Sequence, residues 1–120
     1  MNYMFLIYSR ETPEGLPPDQ VEDLKARHWA VMRDAGQKGI LLSVNALKPT
    51  TTATTVRVDD GKAITTDGPF AETKEQLAGY YILECADLDE AIEWAKRIPT
   101  ACKGVGGCIE IRPVADIPRP

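Results

Sequence analysis

A single histidine stands in this 120-residue chain, His28 in "KARHWAVM". Imidazole is the one side chain whose ordinary charge change falls near neutral pH. A carboxylate partner would fix its tautomer and raise its basicity, the orienting half of an acid-base arrangement. The natural candidate is Asp67 in "ITTDGPFAETKEQLAGYYI". Gly68 admits backbone angles closed to other residues. Pro69 fixes its own φ and steers Gly68 out of the helical region. That corner can hold Asp67 in one orientation, with Phe70 expected to plug the core. The plainer alternatives stay open. His28 can be a core histidine satisfied by a backbone carbonyl, and Asp-Gly is common in turns for local reasons. Ser9 and Ser43 are available as nucleophiles, but nothing around them marks either. Proton transfer on a bound small molecule therefore outranks covalent catalysis. Tyr80, Tyr81 and Arg57 are candidates to hold a polar or anionic substrate, and Glu72 reads as a surface residue.

Cys85, Cys102 and Cys108 form an odd set without C-x-x-C spacing. Neither a disulfide framework nor a structural zinc site is expected, and no metal or cofactor is implied. Cys85 reads as a small core residue. Cys102 and Cys108 flank the loop "CKGVGGC", where a redox pair stays open. Hydrophobic residues make up 43% and charged residues 27%, so ordinary globular composition over a single domain, residues 1–120, is expected. The net charge of −4, with scattered basic residues, argues against a nucleic-acid partner. No apolar run is long enough for a bilayer. The start "MNYMFLIYSRE" reads as a strand rather than a leader. The expectation is a cytoplasmic protein without a membrane or nucleic-acid partner.

The elements that must position these residues follow from periodicity. "YMFLIY" (Tyr3–Tyr8) is aromatic and β-branched, hence a strand. A helix is expected from about Pro18. Val21, Leu24, His28, Val31, Met32 and Ala35 share one stripe, and Gly36 and Gly39 end the helix. "ILLSVNAL" (Ile40–Leu47) is a second strand. "ATTVRVDDGKAITTDG" is a hairpin turning at Asp60-Gly61. "GYYILECA" (Gly79–Ala86) is a fifth strand. "DLDEAIEWAKRIP" opens with a capping box, Asp87 and Glu90. Its stripe is Leu88, Ala91, Ile92, Ala95 and Ile98, and Pro99 stops it. "CIEIRPV" (Cys108–Val114) is the last strand. Two strand-helix-strand halves around an inserted hairpin predict a ferredoxin-like α+β sandwich: a largely antiparallel sheet with both helices on one face.

Two helices cover only one side of a sheet, yet the first strand is apolar on both. Met4, Leu6 and Tyr8 alternate with Tyr3, Phe5 and Ile7, and Tyr81, Leu83 and Cys85 alternate with Tyr80, Ile82 and Glu84. A soluble monomer rarely leaves such a face open. A homodimer through the second face is therefore expected. Its interface would enclose a mixed pocket punctuated by Glu84, Glu110, Arg112, Ser43 and Asn45; a wet interface with paired charges is the alternative. His28 lies on the helix-packed side, so Asp67 reaches it only by rounding a sheet edge or end.

Over nearly the whole chain, "YMFLIY", "TATTVR", "TDGPFAETKEQLAGYYILE", "DLDEAIEWAKRIP" and "IEIRPV" resemble the YCII-related family, and more narrowly its DGPF branch. The resemblance implies a ferredoxin-like fold that dimerises face to face and an active site built on a histidine and an aspartate. These match His28 and Asp67. It implies no general reaction. Some relatives are linked to chlorinated-aromatic breakdown, and many DGPF members are encoded near sigma factors. The loop "TACKGVGGC" is longer and richer in cysteine than the usual link to the last strand. Two functions follow as expectations. One is a small-molecule enzyme of lyase, isomerase or hydrolase type using His28 and Asp67. The other is a non-catalytic metabolite-binding or sigma-factor-associated module. There Trp29 and Trp94, off the helical stripes and expected to be exposed, would anchor a protein partner.

Overall fold

The computed structural model describes residues 1–100 and 104–120. Cys102, and with it any pairing to Cys108, lies outside the described residues. The elements run β1 (Asn2–Glu11), α1 (Pro18–Gln37), β2 (Leu41–Ala46), a short 3-10 turn (Thr50–Thr52), β3 (Thr54–Asp59), β4 (Lys62–Asp67), β5 (Gln76–Glu84), α2 (Leu88–Ala95) and β6 (Gly104–Pro113). A four-stranded sheet is ordered β2-β5-β1-β6, and all its pairings are antiparallel. With both helices on one face this is the ferredoxin-like α+β sandwich. The β3–β4 pair is a separate two-stranded ribbon, not hydrogen-bonded to the main sheet.

Local chemistry sets the boundaries. Pro17 and Pro18 open α1, where a missing N–H costs nothing. Gly36 stays inside the helix, contrary to expectation, and Gly39 at φ 72° ends it. There Gly39 N–H donates to Gly36 O at 3.0 Å and Ile40 N–H to Ala35 O at 3.1 Å, a Schellman cap that turns Ile40 back onto the core. Asp87 caps α2 by accepting from Glu90 N–H at 2.9 Å, as the capping box predicts. The ribbon turns at Asp60 (φ 51°) and Gly61 (φ 77°), the positive angles a two-residue hairpin demands.

The core lies between the sheet and the helices. Tyr3, Phe5 and Ile7 from β1 and Tyr81 and Leu83 from β5 meet Val31 and Ala35 of α1, Ala91 and Trp94 of α2, and Ile98. Cys85 is buried there, as expected. Two expectations fail. Trp94 is only 7% exposed, whereas Leu88 and Ile92 of the predicted stripe are exposed. The helix is rotated so that its large indole, rather than two aliphatic chains, faces the sheet. Arg97 seals the indole from outside, 5.1 Å above the ring, and pairs with Asp34 of α1 at 2.5 Å. Phe70 does not plug the core; it is 75% exposed, because the chain after Pro69 runs outside the sandwich.

Candidate functional site

A gap opens between part of α1 and the edge strand β2. The gap is a cleft of about 390 Å³. Its walls are mostly apolar, with Leu24 and Met32 from the helix, Val44 and Ala46 from β2, and Ile7 and Ala78 from the strands beneath. Lys25 and His28 supply polar side chains, Asn45 lines the cleft at its backbone while its amide turns to Tyr80 on the other side, and Trp29 stands 58% exposed on the lining. Gly79 is the closest point of the floor. A Cβ there would lie 2.6 Å from the Asn45 carbonyl oxygen, so only glycine lets β2 and β5 approach.

His28 lies on this lining, and its Nδ1 is 2.7 Å from the Tyr81 hydroxyl. The two rings stack, with centroids 5.9 Å apart and planes 18° from parallel. Tyr81 is held between Phe5 and Val44 across the strands, so its ring orientation is fixed by the sheet. A phenol both donates and accepts. Either it donates to Nδ1 and leaves a proton on Nε2, or it accepts from Nδ1 and leaves Nε2 a base. Burial, and secondarily the Arg27 cation, push the His28 pKa below its ordinary 6.5, so the ring is neutral at pH 7. A neutral imidazole backed by a phenol at the wall of an apolar cleft can take up or deliver one proton.

The structure thus brings together two of the residues singled out from sequence, His28 and Tyr81. It leaves the others apart. Tyr80 faces the opposite side of the sheet, where its hydroxyl accepts from Asn45 at 2.9 Å. Bonds from Ser43 and Asn45 pull its pKa down. Arg57 and Asp67 are on the ribbon, outside the residues that line the cleft. Asp67 ends β4 opposite Thr54 and is exposed. The corner after it closes the ribbon: Gly68, at φ 99°, donates from N–H to Ala53 O at 2.7 Å, and its carbonyl accepts from the Thr55 hydroxyl at 2.8 Å. The stem is tied to the sandwich by Glu11, whose carboxylate accepts from the Thr50 N–H and hydroxyl, each at 2.9 Å. The rigidity read from Gly68 and Pro69 is therefore present, and it sets the ribbon's register.

Sequence reasoning missed Tyr81 as the group that meets His28. Its signal was available in the alternation, since Tyr81 shares a face with Leu83 and Cys85, the face toward the helices. Ser9 is fully buried beneath the helices and Ser43 lies on the far side with Tyr80. Among the described residues, no group of three or more His, Cys, Asp or Glu side chains is arranged to hold a metal ion, and no helix is long and apolar enough to cross a membrane.

The YCII-related domain family matches residues 1–118. A protein of Rhizobium meliloti (strain 1021), itself named as uncharacterised, is 40% identical over 116 residues, which span 96% of this chain and 93% of its own.

Proposed function

The chain belongs to the YCII-related family, and we propose that it is a small-molecule enzyme of lyase, isomerase or hydrolase type in which His28 moves a proton on a substrate held between α1 and β2. The observation that carries this reading is the 2.7 Å contact of His28 Nδ1 with the Tyr81 hydroxyl at the wall of the cleft. A volume of about 390 Å³ is at the small end of ligand pockets. The apolar walls suit a compact, largely hydrocarbon or aromatic body. Lys25 suits one anionic substituent. Asp67 and Arg57 remain in this reading as the carboxylate and second cation expected from the sequence, carried on the ribbon outside the cleft walls. The "DGPF" at Asp67–Phe70 supports membership of the DGPF branch as part of this reading, and the homodimer belongs to the same proposal.

The test is a panel of small aromatic and aliphatic acids and halogenated phenols, read by Trp29 fluorescence, by the His28 ring resonances and by turnover. A binder should shift both signals. His28→Gln should keep the fold and lose about 10²–10⁴-fold in turnover. Full turnover by a folded His28→Gln protein would end the catalytic reading.

A second reading rests on Trp29. A large indole at 58% exposure beside an apolar cleft also suits a non-catalytic module that senses a metabolite or docks a protein partner such as a sigma factor. Panel members that bind tightly and are never converted would favour it.

A further inference from the structure

The β3–β4 ribbon has two unlike faces. Residues directly opposite on an antiparallel pair point to the same side. Thr54, Val56 and Val58 of β3 therefore share a face with Asp67, Thr65 and Ala63 of β4. The other face carries Thr55, Arg57 and Asp59 with Thr66, Ile64 and Lys62. The second is a solvated pattern, with three charges around one isoleucine. The first is apolar toward its tip, and its only charge, Asp67, is at the stem. This is the alternation of a sheet with one face buried. Among the described residues nothing buries it: Val56 and Val58 are 59% and 72% exposed. A two-stranded hairpin with no cover is marginally stable at best.

The shape of the chain says what the cover is. Its radius of gyration is 16.3 Å, against roughly 14 Å for a compact domain of this length. Its extents are 46 × 45 × 20 Å. Twenty ångströms is about the thickness of one sheet and one helix layer, so the far side of the main sheet is bare as well. That side presents Met4, Leu6 and Tyr8 of β1 beside Tyr80 and Ile82 of β5, all partly exposed. One chain thus carries an open apolar sheet and an extended arm with an apolar face. A two-fold pairing of identical chains can cover both at once. A stable pair needs about 800 Å² per partner, well within a 46 × 45 Å footprint.

We propose that the ribbon is an intersubunit arm, whose Val56–Val58–Ala63 face packs on a second copy of this chain and so brings Asp67 to the boundary between the two. The inference rests on the homodimer of the proposed function and deepens it by naming the ribbon as its arm, and it stands whether or not His28 moves a proton. Its test needs no substrate. Light scattering at micromolar concentration should give twice the 13.2 kDa chain mass. Val56→Lys with Val58→Lys should raise the dimer dissociation constant by at least about tenfold, since each charge must be desolvated at the contact. Both positions are exposed in the single chain, so circular dichroism should be unchanged. Ile64→Lys, on the solvated face, should dimerise as the unaltered protein does. A monomeric unaltered protein, including one that associates only with some other partner, would overturn the proposal. So would a doubly substituted protein that dimerises normally, or an Ile64→Lys protein that dissociates to the same degree.

Discussion

Phe5 and Tyr81 lie opposite each other on β1 and β5, and both are sealed from solvent. Val58 and Ala63 lie opposite each other on β3 and β4, and both are open. The two strand pairs share the same chemistry, β-branched or aromatic residues in a period of two, with hydrogen bonds of the same pattern. What separates them is distance along the chain. The first pair has two helices laid over it, each reached through a short connection. The second leaves the sandwich at Thr50 and returns after Gly68 as a separate two-stranded ribbon. Alternation prescribes which residues want cover; only tertiary contacts supply it.

The largest expected effect breaks this contrast or confirms it. Phe5→Ala should cost about 3–5 kcal/mol in urea unfolding, because the surrounding side chains cannot close the void. Ile64→Ala, on the solvated face of the ribbon, should fall within about 0.5 kcal/mol of the unaltered protein. Comparable losses would mean that the ribbon is part of one continuous core.

Glycines sharpen the same contrast. At Gly79 an added Cβ would meet the Asn45 carbonyl oxygen at 2.6 Å. Gly79→Ala should therefore cost about 1–3 kcal/mol by forcing β2 away from β5, and should widen the cleft enough to be seen in Trp29 fluorescence. At Gly61 the added atom would meet open space, and the obstacle is the backbone angle of 77°. Gly61→Ala should cost about 1 kcal/mol and leave Trp29 undisturbed. Equal fluorescence changes from both would disconnect Gly79 from the cleft.

Tyr81→Phe should cost about 1 kcal/mol, the worth of one hydrogen bond, and leaves His28 Nδ1 without its phenol. The ring carbons keep their packing, so the loss isolates the hydroxyl. The ring resonances of His28 should move in this variant and stay in place in Ile64→Ala. Unmoved resonances in Tyr81→Phe would dissolve the pairing on which the site is built.

Much of this was legible in the sequence, for local reasons. Turn and cap chemistry marked Asp60-Gly61, Asp87 with Glu90, and Gly39, because each acts on its own neighbours. The two faces of β1 were correctly sorted, since alternation needs no partner. The misreadings at Trp94 and Phe70 depend on remote contacts. Ile92 and Trp94 both sit near the edge of the α2 stripe, and a small helical rotation decides between them. It is settled by the space above the sheet and by the cation of Arg97. Phe70 looked like core from its type alone, yet the path after Pro69 carries it outward. For His28, charge complementarity suggested a carboxylate, while the contact found is a phenol across the sheet. The helix face and the strand face were each readable, but their register against one another was not.

The smallest effect is carried by pH, and the single histidine makes it clean. Burial and Arg27 hold the folded pKa of His28 below its ordinary 6.5. Between the folded and unfolded values the unfolded chain binds more protons, so stability rises with pH there. The contribution of a neutral His28 is therefore fully present above pH 6.5 and is lost as pH falls through the lower folded value. Carboxylates titrate in the same acid range, so the unaltered protein must be compared with His28→Gln. The difference in urea midpoint between the two should be constant above neutrality and change against the unaltered protein as pH drops toward 5. A histidine on the exposed ribbon would show no such trend. A difference that stays flat across that range would place His28 in solvent and remove it from the cleft wall.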